Sequence, residues 1–376
     1  MLGGSVGSLF SAAAVAAISA VSIVISPAAA ADTALWLHGA TSDEIPVGEV
    51  LRRVPPGYGV QEVDYPAGLW PWTGLTTATG ARSITVGVSA LDEAIRAAEG
   101  QGHTLVIGES LGSLVVDQEL RDLAVRSDAP APSLLRFVVI ADPGRPGGLM
   151  SYLPVGKRDP LTGTTIKPVP ETPYEVTVIK LQYDAIASWP DRPWHLLSVL
   201  NAIAGGFFYH GTDHYGVAAK AVMNGRVPAE NVSTTVNSQG GVTTTYSVQQ
   251  NPALLHPLEP IFPAVVAALN RHVLAPLINL GYSELTPDAG PHLAPGGRLV
   301  GKDGRPIGQL RDRGPESAAT KAGSAAESPR TSAAPRALAS TSSQGPSLSR
   351  ALPGHRSSTP RPLRPVSGPA PASRLR

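Results

Sequence analysis

The chain contains no cysteine among its 376 residues. This absence excludes a disulfide framework, a thiolate metal site and a cysteine nucleophile. A charge imbalance is also missing: the net charge is +1, so nothing in the overall composition indicates a nucleic-acid ligand. The hydrophobic fraction of 42% is enough for a sizeable core over part of the chain.

The N-terminal stretch has no charged residue between Leu9 and Ala31, and no Lys or Arg precedes this apolar run. An Ala-x-Ala site at Ala28–Ala30 follows Pro27, a pattern typical of secretory signal peptides. The run is also nearly long enough to span a bilayer. We therefore predict that residues 1–31 form a signal peptide or a membrane anchor, and that the protein is secreted or held in the cell envelope.

The C-terminal segment, residues 311–376, has few large apolar side chains and is rich in Ser, Pro, Ala, Gly and Arg. Such a composition cannot bury enough apolar surface to offset chain entropy, so we predict a disordered tail. From Lys321 onward it carries nine Lys and Arg residues against one acid, Glu327. Two interpretations remain: a solvated tail, or a weak electrostatic tether to anionic envelope polymers or lipid head groups.

The region between them, residues 32–300, alternates between two kinds of hydrophobic pattern. Short apolar runs predict strands, and apolar residues at helical spacing predict helices. The predicted strands cover residues 32–39, 59–66, 103–108, 134–143 and 174–184, and the predicted helices cover residues 83–100, 110–126 and 195–210. This alternation predicts the α/β class, with a mostly parallel central sheet and helices on both faces. The Thr- and Val-rich segment 231–250 predicts a β-hairpin insertion.

One pentapeptide carries a catalytic signature, the Gly-x-Ser-x-Gly motif formed by residues Gly108, Glu109, Ser110, Leu111 and Gly112. It lies between a predicted strand and a predicted helix, the context in which a serine nucleophile projects from a tight turn. The two glycines avoid clashes with neighbouring backbone. We therefore interpret Ser110 as a nucleophile, with the Leu111 backbone N–H as an oxyanion donor.

A second oxyanion donor is expected from the loop after the first strand, in the stretch LWLHGATSD. The candidates are the backbone N–H groups of Ala40 and Thr41, and the Thr41 hydroxyl could add a bond. His38 precedes the serine and ends a strand, so we interpret it as a residue that shapes this turn.

The acid and the base of a triad should follow the serine along the chain. Asp142 and Asp184 both come at predicted strand ends, and Asp184 suits the usual place of the acid better. The downstream histidines leave the base open: they are His195, His210, His214, His256, His272 and His292. The spacing of His210, Asp213 and His214 fits no standard zinc pattern, so we predict no metal.

Several longer stretches resemble one protein family: DYPAGLWPWTG, GVSALDEAI, GESLGSLV, DPGRPGGLM, QYDAIASWPDRPWHLLSVLNAIAG and YHGT. The chain resembles, over about residues 33–285, the PE-PPE C-terminal domain of mycobacteria and related actinobacteria, a cutinase-like serine α/β-hydrolase. The resemblance implies an α/β-hydrolase fold in which Ser110 is the nucleophile, Asp184 the acid and His210 the base. His214 remains an alternative base, because it also precedes a tyrosine.

The expected function is that of an exported serine hydrolase that cleaves short- to medium-chain acyl esters without a cofactor. Two alternatives remain open. An envelope acyltransferase would use the same triad and pass the acyl group to a sugar or lipid hydroxyl. A non-catalytic envelope binding protein would use the tail, but an intact set of Ser, Asp and His argues against it.

Overall fold

The computed structural model of the protein describes residues 32–40 and 47–307. The predictions of a signal or anchor at residues 1–31 and of a disordered tail at residues 311–376 therefore lie outside the described residues.

The described strands build one seven-stranded sheet and one small hairpin. The sheet contains β1 (Thr33–Leu37), β2 (Gly59–Glu62), β3 (Thr104–Glu109), β4 (Leu135–Ile140), β5 (Glu175–Leu181), β6 (Val232–Val236) and β7 (Val242–Val248). Their order across the sheet is β2-β1-β3-β4-β5-β7-β6, and all neighbours are parallel except the antiparallel pair β6 and β7. The separate hairpin consists of β8 (His292–Ala294) and β9 (Arg298–Val300).

Helices lie in most of the connections between parallel strands, as crossover connections require. The helices are α1 (Val47–Val50), α2 (Gly80–Ala98), α3 (Leu111–Val125), α4 (Leu196–Phe208), α5 (Thr212–Met223), α6 (Pro263–Leu269) and α7 (Ala275–Asn279), of which α6 and α7 follow the last strand of the main sheet. A π-helical turn, Asn270–Leu274, joins α6 to α7. None of the helices in the described ranges is both long enough and apolar enough to cross a bilayer.

Both faces of the sheet are covered, because successive strand residues point to opposite sides. On β3, Val106 packs in the cluster that includes α2 and α3, whereas Leu105 and Ile107 pack in the cluster that includes α1 and α5. The fold is therefore the α/β-hydrolase class predicted from the sequence, and the carboxyl ends of its parallel strands meet at one edge.

The hairpin predicted at residues 231–250 is present as β6 and β7, and it extends the main sheet. Strand β7 pairs in parallel with β5 from Val176 to Leu181. Four features have no counterpart among the predicted elements: α1, α5, the helix formed by residues 263–279 and the β8–β9 hairpin. The predicted strand at 59–66 is shorter in the structure, where β2 ends at Glu62.

Candidate active site

Ser110 occupies the junction between β3 and α3, in a backbone conformation that few residues other than glycine adopt. Its φ is +52° and its ψ is −111°. Such a strained conformation persists only where the surroundings hold it in place, and it is concentrated at functional sites. One restraint is the backbone N–H of Ser110, which donates to the Ile140 carbonyl at 2.8 Å.

The two glycines of the motif are required by close backbone packing. A Cβ on Gly108 would lie 2.5 Å from the Gly112 carbonyl oxygen, and a Cβ on Gly112 would lie 2.4 Å from the Leu37 carbonyl oxygen. Both distances are far below van der Waals contact. The tight turn from Gly108 to Gly112, which we call the elbow, is therefore packed against β1 as well as against its own helix.

His210 lies in the short turn between α4 and α5, and its side chain reaches the serine. The Ser110 Oγ and His210 Nε2 atoms are 2.9 Å apart, which is hydrogen-bonding distance. The ring is held from the other side, because His210 Nδ1 lies 2.8 Å from Asp184 Oδ2. Ser110 is half-buried at this edge of the sheet, so a substrate can approach it from solvent.

Asp184 follows β5 and is completely buried, yet its carboxylate is satisfied by several donors. Oδ2 accepts from the Tyr215 hydroxyl at 2.5 Å in addition to its contact with His210. Oδ1 accepts from the Ile186 backbone N–H at 3.0 Å. These bonds fix the orientation of the carboxylate that in turn orients the imidazole.

The electrostatic surroundings of His210 favour its protonated form. Burial by itself lowers the pKa of the imidazole, but the charge and the hydrogen bond of Asp184, aided by the charge of Glu109, outweigh burial and raise the pKa above its ordinary value. An imidazolium formed at this position is therefore stabilised.

Glu109 is buried directly beside the serine and forms an ion pair with Arg53. Arg53 Nε lies 2.5 Å from Glu109 Oε2, and the Arg53 side chain is fully buried. Burial raises the pKa of the Glu109 carboxyl, and Arg53 opposes that rise. The guanidinium also lies over the Trp36 ring, 5.8 Å from its centroid. The Glu109 carboxylate is the buried charge that, with Asp184, raises the pKa of His210.

The turn after β1 borders the serine, as the oxyanion-hole prediction requires. A Cβ on Gly39 would lie 3.1 Å from Ser110 Cβ and 3.8 Å from Ser110 Oγ. Ala40 is the next residue, and Leu111 is the first residue of α3, where backbone N–H groups have no partner within the helix. The Tyr65 hydroxyl donates to the His38 carbonyl and helps hold this turn. Thr41 lies outside the described residues.

The alternative base and the alternative acid both lie apart from this constellation. The His214 ring packs against Tyr209 and His256, with centroids 5.3 and 6.3 Å away. Asp142 belongs to a separate buried group with Asp117 and Arg145. Burial, reinforced by the charge of Asp117, raises the pKa of Asp142 to about 7.

Tyr215 and the Glu109–Arg53 pair are the features that the sequence reasoning missed. Each left a weak signal: Glu109 is a charged residue at the end of a buried strand, and Tyr215 follows His210 by five residues. In the described part of the chain, no three His, Asp or Glu residues cluster as they would around a metal ion.

The family model for the PE-PPE domain matches residues 56–283, more than half of the chain. The chain belongs to the PE-PPE domain family. The matched range includes Ser110, Asp184, His210 and Tyr215. The turn after β1, which contains Ala40, precedes the matched range.

Three Mycobacterium tuberculosis proteins illustrate the range of relatives of this PE-PPE domain. The uncharacterized PPE family protein PPE63 is 37% identical over 246 residues, covering 64% of this chain and 49% of that protein. The SL1278 acyltransferase Chp1 is 37% identical over 188 residues, covering 50% of this chain and 44% of that protein. The esterase PE16 is 32% identical over 233 residues, covering 60% of this chain and 42% of that protein. The chain spans about half the length of these curated relatives.

Proposed function

We propose that this PE-PPE domain is a serine hydrolase that cleaves acyl esters through an acyl-enzyme intermediate. The observation that carries the proposal is the hydrogen-bonded series from Ser110 Oγ to His210 to Asp184, with the serine on a strained elbow. This arrangement matches the geometry and roles by which serine triads are recognised on unrelated folds.

In the proposed mechanism, His210 Nε2 takes the proton from Ser110 Oγ as the oxygen attacks the ester carbonyl carbon. The N–H groups of Leu111 and Ala40 stabilise the oxyanion, a contribution worth roughly 10²–10³ in rate for each donor. The carbonyl–oxygen bond to the alcohol then breaks, and His210 returns its proton to the leaving alcohol. Water, deprotonated by His210, attacks the acyl-enzyme and releases the carboxylic acid and free Ser110.

The substrates we propose are esters of short- to medium-chain acids, including lipid esters. The serine is half-buried rather than enclosed, which supports access by an ester from solvent. The esterase PE16 among the relatives supports hydrolysis. Action in the cell envelope, through export directed by residues 1–31, is part of the same proposal.

A second candidate is acyl transfer to an alcohol other than water. The similarity to the SL1278 acyltransferase Chp1 favours it. Both activities share the acyl-enzyme and differ in whether water or an acceptor hydroxyl attacks it. Adding acceptor sugars or glycerolipids to the hydrolysis assay separates them: a transferase forms new esters at the expense of free acid.

The test is hydrolysis of p-nitrophenyl esters of increasing chain length by the full chain, together with labelling by a fluorophosphonate probe. Ser110→Ala should abolish labelling and lower kcat/KM at least about a thousandfold. His210→Ala should lower it comparably, whereas His214→Ala, which alters a ring outside the triad, should change it little. Equal activity of the wild type and Ser110→Ala would refute the proposal.

A further inference from the structure

Helix α4 exposes a continuous row of large apolar side chains. The row consists of Leu196, Leu200, Ile203 and Phe207, whose spacing of four, three and four residues places them on one side of the helix. Their exposed fractions range from 42% for Ile203 to 84% for Phe207. The opposite side of α4 is the buried one, so this row faces away from the core.

A second apolar row lies on the helix formed by residues 263–279. It begins just before the helix and continues at helical spacing, with Phe262, Val265, Leu269, Val273 and Leu277 all exposed. An almost entirely apolar helix is normally buried in a core or a membrane. This one buries only a narrow side, including Val266, Asn270 and Ile278.

The two helices are neighbours. The Ser198 hydroxyl of α4 donates to the Ile278 carbonyl of α7 at 2.6 Å. Leu197 and Leu274 also pack against one small core cluster that contains Ile278. We call the exposed residues of both rows the α4–α7 apolar surface. Extended exposed apolar patches of this kind mark protein or membrane interaction sites.

The charge of these helices favours a lipid as the occupant. Helix α4 contains no charged residue, and residues 260–279 contain no Asp or Glu. The ionisable side chains there are Arg271 and His272, both exposed. A surface that combines apolar side chains with basic ones suits the interface of a bilayer with anionic head groups.

The length of α4 decides how it can meet a bilayer. Its 13 residues extend about 20 Å, well short of the roughly 30 Å hydrocarbon core, so it can lie in the interface but cannot span it. Amphipathic helices of this type bury their apolar side at the boundary between head groups and acyl chains.

The position of α4 also connects this surface to the candidate active site. Phe207 precedes His210 by three residues, and α4 packs directly on the loop of the acid, where a Cβ on Gly205 would lie 1.9 Å from the Tyr183 carbonyl oxygen. We propose that the α4–α7 apolar surface docks on a lipid bilayer. If the proposed function is correct, docking holds the site beside ester-bearing lipids. Binding itself does not depend on that chemistry.

The absence of cysteine allows a residue-specific test on the full chain. A single Phe207→Cys variant is labelled with the fluorophore NBD and mixed with vesicles of phosphatidylcholine and phosphatidylglycerol. The matched control is Val125→Cys. Val125 is 87% exposed, close to the 84% of Phe207, and it lies at the end of α3, outside the α4–α7 apolar surface. We expect a blue shift and a brighter signal at position 207 and no change at position 125.

Site-specific labels keep the test independent of any anchoring through residues 1–31 or the basic tail. Leu200→Ser combined with Phe207→Ser should lower hydrolysis of a vesicle-embedded ester about tenfold while leaving hydrolysis of soluble p-nitrophenyl acetate unchanged. The label should respond equally in a Ser110→Ala background, which separates failure of docking from failure of the proposed function.

Three outcomes would overturn docking on lipid. The signal at position 207 could stay unchanged with vesicles, or it could change no more than the signal at position 125. Alternatively, sedimentation equilibrium could show a dimer that the Leu200→Ser and Phe207→Ser changes dissociate, which would make a second copy of the chain the occupant.

Discussion

The Tyr215 hydroxyl and the His210 imidazole donate to the same oxygen atom, Oδ2 of Asp184, at 2.5 and 2.8 Å. The backbone N–H of Leu181 approaches the Tyr215 oxygen at 3.3 Å, so the tyrosine is itself fixed by β5. Tyr215 is fully buried on α5, the helix that begins directly after the His210 turn. Tyr215 thus connects the carboxylate that orients His210 to strand β5 of the central sheet.

Replacing Tyr215 by Phe removes one of the donors to the Asp184 carboxylate. We expect kcat to fall about tenfold, since a hydrogen bond to a charged group is worth roughly 1.5–3 kcal/mol, with little change in KM. The carboxylate then keeps more negative charge for His210, so the pKa of the imidazole should rise further. The acid limb of kcat/KM against pH should therefore move to higher pH. A loss of activity with an unmoved acid limb would mean that Tyr215 serves packing alone.

The raised pKa of His210 predicts how activity depends on pH in the unmodified protein. Only the neutral imidazole can accept the serine proton, and Asp184 and Glu109 keep it protonated to higher pH despite burial. Activity should therefore rise with pH through a midpoint above about 6.5, the ordinary histidine pKa. Asp184→Asn should lower kcat strongly and move that midpoint down. Measuring kcat/KM from acidic to mildly alkaline pH tests both, and a midpoint below the ordinary value would contradict the assignment.

Removing the charge of Glu109 should act in the direction opposite to the Tyr215 change. In Glu109→Gln the buried negative charge near His210 disappears, so the acid limb should move to lower pH. The variant also breaks a buried ion pair with Arg53, so the free energy of unfolding should fall by about 3 kcal/mol.

The control for Glu109 is Glu175→Gln, which breaks an exposed ion pair with Arg136 on neighbouring strands. Exposed pairs contribute little, so both the stability and the pH profile should stay nearly unchanged. Urea unfolding and the pH profile of kcat/KM measure the two effects. Identical acid limbs for Glu109→Gln and the wild type would show that Glu109 does not influence His210.

Gly205 allows α4 to pack against the loop that carries the acid. A methyl group there would collide with the carbonyl of Tyr183, a residue held at a φ of +68° next to Asp184. Gly205→Ala should therefore destabilise the fold by about 2 kcal/mol and lower activity, because the loop must move to relieve the clash. Gly48→Ala, where the added methyl meets no atom of the described residues within 4 Å, is the control. The measurements are thermal unfolding and ester hydrolysis. If neither changes in Gly205→Ala, the loop adapts to the added methyl group and the contact between α4 and the loop is not rigid.

The elbow was readable from the sequence because its requirements are local. A buried strand, two glycines around Ser110 and a following helix occupy consecutive residues, and steric rules alone dictate what they form. The α/β alternation was readable for the same reason, since strands and helices differ in hydrophobic period. Chain order narrowed the acid to Asp184 or Asp142, which both follow buried strands.

Contacts between residues far apart in the chain were decided only by the tertiary structure. The sequence left His214 open as an alternative to His210, the base implied by the family resemblance. The turn between α4 and α5 brings His210 to Ser110, one hundred residues away. The hydrogen bonds of Tyr215 to Asp184 and of Arg53 to Glu109 also join residues far apart in the chain, with separations of 31 and 56 residues. Likewise, apolar residues on α4 predict a helix with a buried side, but only packing reveals which side stays exposed. Local sterics determine the elements, and the burial of the assembled chain determines which side chains meet.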